Sequence, residues 1–202
     1  IEKYEKNEID VFIEKVYKNE NEPDKKVVLY CSILKKENFE LVAQKATEVG
    51  GSEIAPLLTA RTVKQKLNSE RLCKIIREAA EQSGRGVVPI LREPIDFNKA
   101  AQEVGENDLN LFFHQEGEPV WSVIVSTFAT LSINSAKQSR GNTTKVSVFI
   151  GPEGGWEEKE IKLAQNKGLK IVSLGSLTLR AETAAIVASY LTVSRGLEQK
   201  KV

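Results

Sequence analysis

The sequence predicts an α/β fold built on a mainly parallel sheet, and three observations predict it. Runs at residues 26–34 and Lys145–Ile150 are continuously apolar and rich in β-branched residues, as strands buried on both faces require. Segments with helical spacing separate such runs along the chain. Glycine-rich or irregular turns follow the runs, so strand and helix alternate as in successive βαβ units.

The elements follow in order. Residues 1–22 alternate weakly, with Ile9, Val11 and Ile13 on one face, and predict a short antiparallel strand pair. Residues 19–24 read as a linker, and the buried strand at 26–34 opens the main domain. Phe39, Val42, Ala43, Ala46 and Val49 recur at helical spacing until Gly50 and Gly51 end the helix, and a strand follows at 53–58. A helix over 69–83 takes Ser69 as its N-cap and Gly84 as its stop. Next come a strand at 87–91, a short helix at 97–104, a strand at 109–114, a helix at 119–131 and a polar loop at 132–144. The last third gives a strand at 145–150, a glycine-rich turn, a helix at 157–167, a strand at 170–174, a second unusual loop and a closing helix at 181–196.

Bulk composition narrows the class. The 202 residues are 41% hydrophobic and 28% charged, with formal charge +1, and no apolar run approaches the roughly 20 residues of a membrane span. The first residues lack the apolar core of a signal peptide, so the expected location is the cytoplasm. Cys31 and Cys73 form neither a CxxC pair nor a disulfide framework, and the single histidine, His114, cannot build a metal site, so no metal is expected. Charge is uneven: within 61–92, Arg61, Lys64, Lys66, Arg71, Lys74, Arg77, Arg85 and Arg92 face only Glu70, Glu78 and Glu81. This is the candidate surface for a polyanion.

Two loops carry the chemistry. The first, Phe149-Ile-Gly-Pro-Glu-Gly-Gly-Trp156, leaves a buried strand and opens a helix, which puts it at the carboxyl edge of a parallel sheet, where open α/β folds bind ligands. It has neither the lysine of a Walker A loop nor the spacing of GxGxxG. Glu153, with Glu157, Glu158 and Glu160 after it, disfavours an anionic ligand and suits a cationic or zwitterionic one. The second loop, at 173–185, sets Leu174, Leu177 and Leu179 in irregular backbone whose polar groups need partners, which a ligand edge can supply. Arg180, Glu182 and Thr183 then stand at a helix start. Arg180 could clamp a planar anion or simply pair with Glu182, and Glu182 could cap the helix or act as a base.

Ile150-Gly-Pro-Glu-Gly-Gly-Trp156 and Leu174-Gly-Ser-Leu-Thr-Leu-Arg-Ala-Glu-Thr-Ala184 occur together with Glu78-Ala-Ala-Glu-Gln-Ser-Gly-Arg85 and Leu41-Val-Ala-Gln-Lys-Ala-Thr-Glu-Val-Gly50. With these motifs, residues 27–197 resemble the RsmE family of the SPOUT superfamily, which methylates N3 of a uridine in 16S ribosomal RNA. The resemblance implies a SPOUT α/β-knot, a deep trefoil knot in which the chain after Lys170 threads an earlier loop, and a homodimer with the closing helix in its interface. It also implies S-adenosylmethionine as cofactor and the 16S rRNA of the small ribosomal subunit as partner. The implied cofactor pocket comprises Ile150, Gly151, Glu153, Gly154 and Gly155 of the first loop, Leu174, Gly175, Leu177 and Leu179 of the second, and Phe113 and His114 at a strand end. The family also carries an N-terminal PUA-like RNA-binding barrel. Residues 1–24 match only its last strands and linker, leaving 25–202 as the methyltransferase domain.

For the reaction, Arg180 is the candidate to stabilise charge on the uracil carbonyl oxygens, and Glu182 or Glu153 is the candidate proton acceptor. Arg61, Ser83, Arg85 and Arg180 are the candidate RNA contacts, with the basic segment tracking phosphates. Two rivals remain: an RNA-binding module without catalysis, and an unknotted nucleotide-binding enzyme using 151–155 for phosphate.

Overall fold

A computed structural model describes residues 3–5, 8–16, 21–62, 66–135 and 143–194. Strands β1 (Lys3–Glu5) and β2 (Glu8–Asp10) pair antiparallel, with Lys3 opposite Asp10. Residues 11–16 continue outside any strand and expose Val11, Phe12, Ile13 and Val16. Of the expected linker at 19–24, residues 19 and 20 lie outside the described residues.

The main domain begins with β3 (Lys26–Ser32), α1 (Lys36–Glu48), β4 (Glu53–Leu58), α2 (Ser69–Gln82), β5 (Ile90–Leu91), β6 (Ile95–Asp96) and α3 (Phe97–Glu103). It continues with β7 (Leu109–Pro119), α4 (Val120–Ser135), β8 (Lys145–Ile150), α5 (Glu158–Asn166), β9 (Lys170–Ser173) and α6 (Ala181–Ser194). The sheet runs β5-β4-β3-β8-β7-β9, with β6 also on β4, and its pairings are all parallel.

The pleat divides the core in two. Val27, Leu29 and Cys31 of β3 face α1, α2, α4 and α6, while Val28 and Tyr30 face α3 and α5. Successive strand residues point to opposite faces, so a strand covered on both must be apolar throughout, and this is why residues 26–34 read as an unbroken run. On the second face Tyr30 stacks on Phe149 at 4.6 Å between ring centroids, and Phe97 meets the Phe149 ring edge-on.

Several boundaries depart from expectation for identifiable reasons. The strand expected at 87–91 shortens to Ile90–Leu91 because the Gly86 and Val87 amides donate to the Glu22 carboxylate instead of to a neighbouring strand. The α2 cap is Asn68, whose Oδ1 accepts from the Arg71 amide at 3.0 Å, and not Ser69. Strand β7 runs past His114 to Pro119: the ladder with β9 breaks between Phe113 and Glu118 and then resumes, both pairing with Val172. Gly117 permits this, since a Cβ there would run into the Val172 backbone. Helix α4 reaches Ser135, taking in the start of the expected polar loop. Residues 136–142 of that loop and 195–196 of the closing helix lie outside the described residues. Among the described residues no helix is long and apolar enough to cross a membrane.

Candidate active site

Parallel strands bring the segments that follow them to one edge of the sheet, and here they enclose a cleft of about 910 Å³. Ile150 at the end of β8 and Gly151, Glu153, Gly154 and Gly155 after it line one side; Leu174, Gly175, Leu177, Leu179 and Arg180 after β9, with Glu182 in the first turn of α6, line the other. The middle of β7 adds Phe113, His114 and Gln115, and Arg61 enters from the loop after β4. Lys35 and Asn38, which follow β3, also line the cleft. The sequence reading missed these two, although the carboxyl-edge rule that placed the first loop applies equally to the turn after β3.

The first loop is held from three sides. Trp156 is nearly buried, its Nε1 donates to the Phe113 carbonyl at 3.0 Å, and its ring lies 4.3 Å from that of Phe112 between centroids. Gly151 sits against this indole: a Cβ there would lie 2.8 Å from the ring, so the glycine makes room for Trp156. Arg61 Nη1 donates to the Gly154 carbonyl at 2.7 Å. Glu160, 6% exposed, accepts from the Ala60 amide at 2.9 Å with one carboxylate oxygen and from the Glu157 amide at 2.8 Å with the other. The second bond belongs to a capping box that starts α5. The loop carrying Arg61 is itself tied down by hydroxyls, with Thr62 Oγ1 within 2.8 Å of both Ser32 Oγ and Thr59 Oγ1.

These contacts revise the electrostatics read from the sequence. Glu157 pairs with Lys159 and Glu158 with Lys162, while Glu160 is buried in its amide bonds. The hydrogen bond from Lys159 is the main cause holding the Glu157 carboxyl below its usual range. The negative charge lining the cleft therefore comes from Glu153 and Glu182. Both act on Cys31, whose fully buried thiol is pushed up first by burial and then by these two carboxylates.

In the second loop Gly175 has φ +122°, and in the first Gly155 has φ +70°, conformations that favour glycine in each. Leu177 is 78% exposed on the cleft wall, so this loop is not buried as its leucines suggested. Gln115 Nε2 donates to Thr178 Oγ1 at 2.6 Å and links the loop to β7. The Arg180 side chain is 86% exposed, with Nη1 4.0 Å from Glu182 Oε1. Glu182 is 8% exposed, and its Oε2 has no hydrogen-bond partner.

Ser83 and Arg85 lie elsewhere. Ser83 Oγ donates to the Ala79 carbonyl, and the Arg85 guanidinium donates to the Thr47 and Gly51 carbonyls and to Glu22, to which it is ion-paired at 2.8 Å. Gly51 precedes β4, so Arg85 stands at the amino edge of the sheet, opposite the cleft. The six residues of β4 put about 20 Å between those edges, and the RNA contact expected of Arg85 is replaced by a structural ion pair. Arg71, Lys74 and Arg92 likewise pair with Glu40, Glu78 and Glu103, so the basic segment presents less free charge than its sequence suggests, and Lys64 lies outside the described residues.

Comparison with known proteins gives a consistent result. The model of the RNA methyltransferase domain family matches residues 20–193. The ribosomal RNA small subunit methyltransferase E of Mesomycoplasma hyopneumoniae is 34% identical over 86% of this chain and 71% of its own length. The proteins of the same name from Rickettsia conorii and Synechocystis are also 34% identical, over 80% and 84% of this chain but only 62% and 53% of theirs, so the chain spans only part of these relatives. Among solved structures, the Neisseria gonorrhoeae ribosomal RNA small subunit methyltransferase E bound to S-adenosylmethionine superposes with TM-score 0.70 at 26% identity, covering 87% of this chain and 68% of that one. A Legionella pneumophila protein described as a methyltransferase and solved with the same cofactor gives TM-score 0.71 at 31% identity, with the same coverage of each chain.

Proposed function

Because the chain belongs to the RNA methyltransferase domain family, and within it to the small-subunit ribosomal RNA methyltransferase E family, we propose that it methylates N3 of a uridine in 16S ribosomal RNA, using S-adenosylmethionine. The observation that carries this reading is the cleft between the two glycine loops, where exposed leucines stand beside a buried carboxylate oxygen without a partner. Those residues fit the cofactor: Leu177 and Leu179 offer apolar surface to an adenine, the backbone of both loops offers its N–H and C=O groups, and Glu182 suits a cation. The volume of about 910 Å³ lies within the range of small-molecule sites.

When bound, the cofactor supplies an electrophilic sulfonium methyl and leaves as a neutral thioether. The protein must hold uracil N3 in line with that methyl and remove the N3 proton. Arg180, whose side chain is exposed at the cleft, is suited to stabilise charge on the uracil carbonyl oxygens as the proton leaves. Glu153 or Glu182 accepts the proton. Arg61 and Lys35, also at the rim, attract flanking phosphates.

The reading extends to a trefoil knot made by the chain after Lys170. It is supported by the path of that chain, since β9 is outermost in the sheet while α6 returns to pack on α1, β3 and β8. It extends also to a homodimer through α6, supported by Tyr190 of α6 and by Trp121 and Val125 of α4, all of them exposed. We further read residues 1–24 as the end of an RNA-binding barrel, 25–202 as the methyltransferase domain, and the cytoplasm as the place of action.

Transfer of a tritiated methyl group from labelled cofactor to methyltransferase-deficient small subunits, followed by nucleoside analysis, tests the proposal. Labelled N3-methyluridine is the expected product. Label in another nucleoside overturns the base assignment, and absence of label overturns the activity.

A further inference from the structure

Of the side chains lining the cleft, Glu182 is the hardest to explain by folding alone. It is the second residue of α6, its side chain is 11% exposed, and its Oε2 accepts no hydrogen bond among the described residues. The cation nearest it, Arg180 Nη1, lies 4.0 Å from the other oxygen on a side chain 86% exposed. Such a solvated arginine compensates a buried charge poorly. A carboxylate so buried and weakly paired is unfavourable; the N-terminus of α6, in whose first turn it lies, compensates it in part, and a positive group in the cleft would add to that. Glu153, the other carboxylate of the lining, is exposed.

We propose that Glu182 determines cofactor charge specificity, pairing electrostatically with the sulfonium of S-adenosylmethionine and so discriminating the methyl donor from its neutral thioether product. This rests on the cofactor assignment made above. The cofactor has two positive groups, and the surroundings of Glu182 favour one of them. An ammonium carries three N–H donors and needs several acceptors. Among the described residues, Glu182 Oε2 is the one buried side-chain acceptor of the cleft without a partner. A sulfonium has no N–H or O–H donor and requires only a nearby negative charge. Ala181 and Ala184 beside Glu182 in the lining add no competing polar group. Transfer of the methyl removes the sulfonium charge but leaves the ammonium, carboxylate and adenosine unchanged. The consequence is that methyl transfer weakens the hold on the spent cofactor at Glu182 and favours its release.

Calorimetry on the full chain tests this with three probes: S-adenosylmethionine, S-adenosylhomocysteine, and sinefungin, in which a carbon bearing an amine replaces the sulfonium. Glu182→Gln is expected to weaken S-adenosylmethionine and sinefungin by about tenfold each, the equivalent of one removed charge interaction of moderate strength, and to leave S-adenosylhomocysteine within about twofold. Equal weakening of all three, or no change in any, overturns the assignment, because the carboxylate would then serve the shared parts of the ligand or none. The unmodified chain provides a second measurement should the variant fail to fold: S-adenosylmethionine and sinefungin are expected to bind it about tenfold more tightly than S-adenosylhomocysteine. Equal affinity for all three overturns the assignment. If the unmodified chain binds none of the three, the cofactor reading falls and this inference with it.

Discussion

Arg180 and Glu160 sit in opposite circumstances, and their replacements should fail differently. The Arg180 side chain is exposed and, among the described residues, its one ion pair is a long contact to Glu182, so the fold depends little on it. Arg180→Ala is expected to lower methyl transfer by about 100-fold or more, the scale of losing a group that stabilises developing charge. Its melting temperature and its affinity for the cofactor should stay close to those of the unmodified chain. Wild-type turnover in that variant would remove Arg180 from the reaction. Glu160 accepts from two backbone amides, one in each of the segments that meet beside the first loop. Glu160→Ala leaves both donors without partners and is expected to lower stability by roughly 2–4 kcal/mol, read as a fall in thermal midpoint. Gly151→Ala tests the same loop by crowding, since its methyl would press on the Trp156 ring. Weaker cofactor binding and a changed emission from Trp156 are the expected results.

At the scale of elements, the tie between residues 21–24 and the segment after α2 decides how the start of the chain is anchored. Glu22 accepts from Arg85 and from the Gly86 and Val87 amides, and Asn21 Nδ2 donates to the Gly84 carbonyl. Burial pushes the Glu22 carboxyl up, but the hydrogen bonds and charge of Arg85 outweigh it and leave the group below its usual value. A carboxyl lowered in the folded state contributes stability above its unfolded pKa, here 4.5. That contribution is lost as pH falls through the folded value. Arg85→Ala should therefore lower the thermal midpoint at neutral pH, with a loss of roughly 3 kcal/mol for breaking a largely buried pair, and the difference from the unmodified chain should shrink below about pH 4. If Arg85 instead served RNA binding from the surface, the variant would lose RNA affinity and keep its midpoint. The motif containing Arg85 stood out in the sequence, but the sequence could not show whether its guanidinium faced solvent or Glu22, because the two residues lie far apart along the chain and meet only in the fold.

Across the whole molecule, Lys25 joins the linker to both helices packed beside it. Its Nζ donates to the Thr192 carbonyl of α6 at 3.2 Å and lies 3.7 Å from the centre of the Phe128 ring of α4. Burial is the main cause lowering its pKa from 10.5 to about 8, with Asp24 acting in the opposite sense. A lysine lowered in this way binds its proton more weakly in the folded state than in the unfolded one. Its burial is thus fully unfavourable below pH 8 and is relieved as pH rises from about 8 to 10.5. Thermal melts of Lys25→Met and the unmodified chain are expected to show the balance shifting toward the unmodified chain between pH 8 and 10. A difference between the two that does not vary with pH would show that Lys25 does not titrate in this window.

The parallel α/β sheet was legible in the sequence, since strands covered on both faces are apolar along nearly their whole length, as residues 27–34 and 146–150 are apart from Ser32 and Ser147. The two loops also stood out, as glycine-rich or irregular segments directly after such strands, although Gly151 and Glu160 turned out to serve Trp156 packing and the α5 cap as well. The segments after β3 and β4 were harder to read. Lys35, Asn38 and Arg61 reach the cleft because parallel pairing sets the ends of β3, β4, β7, β8 and β9 along one edge, and the order of strands is not written in any one of them. Only the tertiary structure separated Arg61, bonded to Gly154, from Arg85, bonded to Glu22 at the opposite edge. Only it left one oxygen of Glu182 buried without a partner. Burial and pairing depend on what the rest of the chain brings alongside a residue, and local sequence carries no record of that.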